Sequence, residues 1–196
     1  MAGLVGFDPV VDAASCRRLW RPSCHSNTTN VTPNTAFEAI LTTPEALDIV
    51  VVKTGYNDWF SDFPREFDAV VQAARAKGAH TILWLSYNDG WRPQAARAYY
   101  ENNVDLFQLV TLPQYSDVIL GDWRAYSNAR TVADWTSDGH HLTPTGAWLL
   151  TDYISRWVAA IEHRPCERPT TVGGPVATPC PPPDTTGPVP DPRALY

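Results

Sequence analysis

Asp48-Ile49-Val50-Val51-Val52-Lys53-Thr54 is a continuous β-branched run, closed downstream by Gly55-Tyr56-Asn57-Asp58. A strand with one wet face alternates apolar and polar residues; an unbroken run marks a strand buried on both faces, as in a parallel sheet. Working outward, Thr81-Ile82-Leu83-Trp84-Leu85 is a second such run, leaving through Ser86-Tyr87-Asn88-Asp89-Gly90, and Asp117-Val118-Ile119-Leu120-Gly121-Asp122-Trp123 is a third. Between the first two, Phe63, Phe67, Val70, Val71 and Ala74 share one face of a helix predicted from Phe63 to Lys77, with Gly78 placed as its C-cap. Further helices are expected over Thr35 to Leu41, Gln94 to Val110 and about Thr145 to Ile161, and one more short strand over Phe7 to Asp12, with its Val10-Val11 pair. Alternation of strand and helix predicts an α/β domain whose parallel sheet has helices on both faces and whose site lies at the carboxyl ends of the strands.

The chain has 196 residues, 44% of them hydrophobic, enough for one domain with a full core. We place that domain at residues 1–163. From Arg164 the composition turns to Pro, Thr and Gly, so residues 164–196 read as a Pro-rich disordered tail. A net charge of −6 and the absence of any Lys/Arg run argue against nucleic acid or an anionic membrane surface as partner. No apolar run approaches the roughly 20 residues of a transmembrane segment, and Met1 to Gly6 lacks the basic and apolar regions of a signal peptide.

The cysteines pull the other way on compartment. Cys16 and Cys24 flank a short loop within the irregular stretch before the first helix, and Cys166 and Cys180 both lie in the tail. Local disulfides would staple each segment and suit an oxidising compartment, hence secretion or the cell envelope. Free thiols are the other reading; zinc fits less well, because the spacings are not C-x-x-C and His25 is the sole nearby imidazole.

Thr136-Ser137-Asp138-Gly139-His140-His141-Leu142-Thr143 holds a carboxylate three residues before an imidazole, ahead of the last helix. Asp138 bound to one ring nitrogen of His141 would fix the tautomer and leave the other nitrogen free to take a proton from a nucleophile. The plainer alternative is a helix-capping loop with solvated histidines.

Taken together, Gly55-Tyr56-Asn57-Asp58 after a buried strand and Asp138-Gly139-His140-His141-Leu142 before the last helix resemble the SGNH (GDSL-like) hydrolases in order and spacing. Asp12-Ala13-Ala14-Ser15-Cys16-Arg17-Arg18-Leu19 and the Tyr99 to Asn103 stretch are similar to secreted actinobacterial members, and the likeness spans about residues 5 to 160. It implies a flavodoxin-like three-layer α/β/α sandwich and a serine esterase acting on an acyl ester, such as an acetylated glycan or short-chain ester, without metal or organic cofactor, in a monomer. In that reading His141 is base and then acid, and Asp138 orients it. Asn57 offers its side-chain N–H₂ to the oxyanion, with the Cys16 backbone N–H as a second donor where the family carries Gly. Gly55 permits the turn that presents Asn57, and Asp58 braces it. Spacing selects His141 over His140.

One block has no counterpart: the Gly-Asp-Ser turn that supplies the family's nucleophile. The expectation is a chain that starts late, without the first strand of the sheet, and is inactive as it stands; Ser15 is more simply a loop hydroxyl than a substitute. A non-catalytic module binding a glycan or a partner, and an O-acyltransferase, are the alternatives. For the binding module, Trp59, Phe60, Trp91 and Trp123 would offer stacking surfaces near the strand ends, whereas Trp148 and Trp157 on the last helix belong to the core.

Overall fold

The computed structural model describes residues 7–58, 60–89, 93–128, 135–136, 141–164, 167–169 and 176–179. Helix α1 (Ala36–Thr42) opens on a capping box: Thr35 Oγ1 accepts the Glu38 N–H, and the Glu38 carboxylate accepts the Thr35 N–H. Strand β1 (Ile49–Val52) follows, then α2 (Phe63–Ala76) and β2 (Thr81–Leu85). Gly78, at φ +95°, turns the chain from α2 toward β2 in a conformation that favours glycine. Helix α3 (Pro93–Leu109), β3 (Val118–Gly121), α4 (Trp123–Asn128) and α5 (Pro144–Ile161) complete the alternation.

The strands pair in parallel in the order β1-β2-β3, with Val50 opposite Ile82 and Leu83 opposite Ile119. Because side chains alternate across a strand, the apolar runs feed two cores. Val50, Val52, Ile82, Trp84 and Val118 join Phe63, Phe67, Val70 and Val71 of α2 and Leu106 of α3 on one face. Ile49, Val51, Leu83, Leu85 and Ile119 join Trp123 and Tyr126 of α4 and Tyr153 and Trp157 of α5 on the other. Helices thus cover both faces of the sheet. Each fully buried large apolar side chain contributes about 1.5–3 kcal/mol, so it is this double burial that holds the strand ends in place.

Three expectations need correction. Phe7 to Asp12 is not a strand: its backbone pairs with nothing in the sheet, and Val10 and Val11 are 57% and 65% exposed. A strand needs a ladder partner, and among the described residues no strand lies on the outer edge of β1. Secondly, the third apolar run stops at Gly121; Asp122 then caps a helix, its Oδ1 accepting the Ala125 N–H at 3.1 Å, so Trp123 belongs to α4. Finally, the tail is not wholly without structure, since β4 (Glu167–Pro169) and β5 (Val176–Pro179) pair antiparallel. A hairpin needs backbone partners rather than an apolar core, so composition did not exclude it.

Candidate functional site

The Cys16–Cys24 disulfide is formed, closing the loop that the sequence suggested. Cys16 sits at φ +68°, the left-handed region where a residue with a Cβ is uncommon. Three contacts bind the segment just after it to the turn that follows β1. Thr54 Oγ1 donates to Arg17 O at 3.3 Å, Asn57 Nδ2 donates to the same oxygen at 3.4 Å, and both Asp58 carboxylate oxygens accept the Leu19 N–H, at 3.1 and 3.2 Å. Asp58 therefore ties the turn after β1 to the loop that carries Leu19.

The turn itself is shaped from within. Gly55 has φ +121°, and a Cβ there would lie 2.3 Å from Tyr87 Oη, which donates to Thr54 O at 3.0 Å. Tyr56 points inward between Tyr87 and Tyr99, meeting both rings edge-on. Its hydroxyl accepts the Asn88 N–H at 3.0 Å and Lys53 Nζ at 2.5 Å. Burial holds the Lys53 amine well below the usual lysine range and pushes the Tyr56 phenol up. With Tyr56 and Asp58 turned in, Asn57 is the exposed member of the turn, and among the described residues only one of its amide hydrogens is engaged, by Arg17 O.

Beneath the turn, Asp58 and Glu66 form a buried carboxyl pair, 5% and 1% exposed. Burial first, and then the neighbouring Asp58, push the Glu66 carboxyl up to about 8. Asp58 is also raised by burial. Arg21 reaches Glu66 Oε1 through Nε at 3.2 Å and pairs with Asp62. Sequence reasoning missed Glu66, although a signal was present: three residues after Phe63 and four before Val70, it lies on the buried face of α2.

The ends of β2 and β3 carry a different cluster. Ser86 Oγ donates to Asp122 Oδ1 at 2.9 Å and accepts the Arg124 N–H at 2.9 Å. Asn103 Oδ1 accepts the Tyr87 N–H and its Nδ2 donates to Tyr87 O, both at 2.8 Å. Asp89 accepts Arg124 Nε at 2.5 Å, and Asn88 Nδ2 donates to Ser127 Oγ and Asn128 Oδ1 at 2.8 and 2.6 Å. This network ties strand ends to α3 and α4.

His141 is exposed and stands at the entry to α5. Its backbone is held on both sides: Thr136 Oγ1 donates to His141 O at 2.9 Å, Thr136 pairs with Leu142, and the Thr143 N–H donates to Trp135 O at 3.0 Å. Thr143 Oγ1 then caps α5 by accepting the Gly146 N–H, and a Cβ on Gly146 would lie 1.8 Å from Trp135 O. Buried Trp135 thereby anchors the segment that carries the imidazole. Asp138, His140, Trp59, Trp91, Cys166 and Cys180 lie outside the described residues, as does the side chain of Phe60.

Of the other predicted positions, Ser15 is exposed on the loop before Cys16. Trp123 is 1% exposed and packs in the core, so it offers no stacking face; Trp157, 9% exposed, is in the core as expected, whereas Trp148 is half-buried and outside both core clusters. Among the described residues no group of three His, Cys, Asp or Glu side chains is arranged to hold a metal, and no helix is long and apolar enough to cross a membrane. A cavity of about 280 Å³ opens beside the disulfide loop, with Trp20, Pro22, Pro33, Asn34 and Glu38 in its lining. No family model matches the chain, and no curated protein or solved structure shows significant similarity to it.

Proposed function

We propose that this chain is a serine-esterase-type hydrolase of the SGNH kind, flavodoxin-like in architecture, acting on acyl esters at the outer, β1 end of the sheet. The observation that carries the reading is the clamp between residues 16–19 and 54–58, with Cys16 at φ +68° and Asn57 exposed on adjoining loops. A φ of +68° is a conformation that glycine adopts most readily, and Arg17 O, one residue after Cys16, accepts the Asn57 amide. The open edge of β1 among the described residues is consistent with a nucleophile-bearing strand beside it.

In the proposed reaction, a serine hydroxyl attacks the acyl carbonyl and its proton passes to His141, while Asp138 steadies the imidazolium. Negative charge gathers on the carbonyl oxygen, where Asn57 Nδ2–H and the Cys16 N–H would meet it. His141 returns the proton to the departing alcohol, and water releases the acid by the same steps. Transfer of the acyl group to another alcohol would use the same groups. The disulfide suits a secreted or envelope location.

The test is turnover of p-nitrophenyl acetate by a chain extended upstream so as to include a Gly-Asp-Ser turn. Hydrolysis abolished by His141→Ala is the expected result. An extended chain that remains inert, or one whose activity survives that substitution, overturns the reading.

A further inference from the structure

We infer that the cavity beside the Cys16–Cys24 loop is a carbohydrate subsite that receives one sugar ring of a glycan. Its frame is rigid. The disulfide ties residue 24, next to the lining residue Ser23, to residue 16, Ser26 pairs with Val31 across the loop, and Arg18 O and Leu19 O accept the Ala36 and Phe37 N–H groups at 2.8 and 2.9 Å. The Glu38 N–H goes to Thr35 Oγ1, so these backbone donors of the first turn of α1 are already engaged. Ser23 Oγ accepts the Arg18 N–H at 3.2 Å. Arg65 lies over the Trp20 ring at 4.6 Å and holds the indole in place.

Hydrogen-bonding capacity remains at the lining. Glu38 directs Oε2 to both the N–H and the hydroxyl of Thr35, leaving Oε1 as an acceptor. Among the described residues neither the Trp20 indole N–H nor the Asn34 carboxamide meets a partner. The lining thus offers a donor, a group that both donates and accepts, and a carboxylate, set among one aromatic ring and two proline rings. The lining itself contains no Lys or Arg and includes the Glu38 carboxylate, which disfavours an anionic ligand, although Arg65 stands on the Trp20 ring. Asn34 and Glu38 are exposed, so a ligand bearing hydroxyls would exchange their water for direct hydrogen bonds, which a purely apolar ligand would not. A polyol ring satisfies both demands, because its hydroxyls donate and accept in turn while its C–H face rests on apolar walls. At about 280 Å³ the cavity is at the small end for ligand sites, suited to a single ring rather than an extended chain.

Trp20 adjoins Leu19, whose N–H is held by Asp58, so the ring would sit one residue from the proposed oxyanion loop. Assigning it as the alcohol part of the ester rests on the esterase reading; sugar binding itself does not.

Isothermal titration of the chain with cellobiose and with N,N′-diacetylchitobiose tests the subsite. Binding of at least one is expected, weakened about tenfold by Trp20→Ala. Several-fold weakening is expected with Asn34→Ala and Glu38→Gln, the latter keeping the capping box intact because Gln serves at that position. Trp20→Phe, which keeps the wall and removes the N–H, covers the case in which the alanine variant does not fold. Absence of binding to both sugars, affinity indifferent to Asn34→Ala and Glu38→Gln, or preference for a proline-rich peptide overturns the inference. Sugar binding together with an inert extended chain would leave the subsite standing and remove the esterase.

Discussion

The carboxyl ends of β2 and β3 and the carboxyl end of β1 are furnished with the same kinds of residue, Asn, Asp, Ser or Thr, and arginine, yet they use them in opposite ways. At β2 and β3 the polar groups turn on one another: Ser86, Asn88, Asn103 and Asp122 are each 5% exposed or less and each is hydrogen-bonded. At β1 the groups brace loops from below while Asn57 faces solvent with one amide hydrogen free of any partner in the described chain. A satisfied buried network rigidifies a fold, whereas chemistry on a substrate needs groups whose capacity is still open. In the proposed reading the β1 side is where a ligand is met, and the β2/β3 side is the scaffold that stiffens it.

The largest effect that would break this contrast is expected at Asn103. Asn103→Ala leaves the Tyr87 N–H and carbonyl buried without partners and should cost about 3 kcal/mol, read as a lower midpoint in urea unfolding. A loss well under 1 kcal/mol would mean that the network is ornament rather than scaffold.

A smaller, pH-dependent effect is expected beneath the β1 turn. The Glu66 carboxyl is raised from the ordinary 4.5 to about 8 in the folded chain, facing Asp58, Asp62 and Arg21, with Arg18 near Asp58. Between those values the unfolded chain has released the proton that the folded chain keeps, so stability contributed by this group is greatest below pH 4.5 and falls as pH rises toward 8. Glu66→Gln, which can still donate to Asp58, should stabilise the protein at pH 8 by about 2 kcal/mol and change little at pH 5. Thermal melts of both chains across that range would show it; equal shifts at the two pH values would refute the raised Glu66 carboxyl.

Least of all in stability is expected at Asn57, the exposed member of the turn. Asn57→Ala should move the urea midpoint by no more than about 0.5 kcal/mol equivalent, while in an esterase-active extended chain it should slow turnover about 100-fold. That split between stability and rate would sharpen the contrast with Asn103. A substitution costly in both measures would erase it.

Much of this was legible before folding. The three apolar runs appear as β1, β2 and β3, and the 63, 67, 70, 71, 74 spacing as the inner face of α2, because burial on both sides of a strand and on one side of a helix each leaves a period in the chain. Phe7 to Asp12 carried the same local signal as a strand and is not one, since a period reports what a segment can do and not whether a neighbour is there to pair with it. The tail misled in the reverse direction: its composition denied a core but not the short β4–β5 pairing.

The site divides along the same line. Gly55, Asn57 and Asp58 stand out as a polar strand-end turn, and the two cysteines as a local staple, from spacing alone. Which of the turn's side chains faces water, that Asp58 reaches across to Leu19, and that Asn103 supports Tyr87 from another helix depend on contacts between residues 39 and 16 positions apart. Local chemistry is written in order along the chain, and so alternation and turns can be read from it. Hydrogen bonds across such gaps are set by the packing of sheet against helix, which no short window of residues contains, and only the assembled fold chose them.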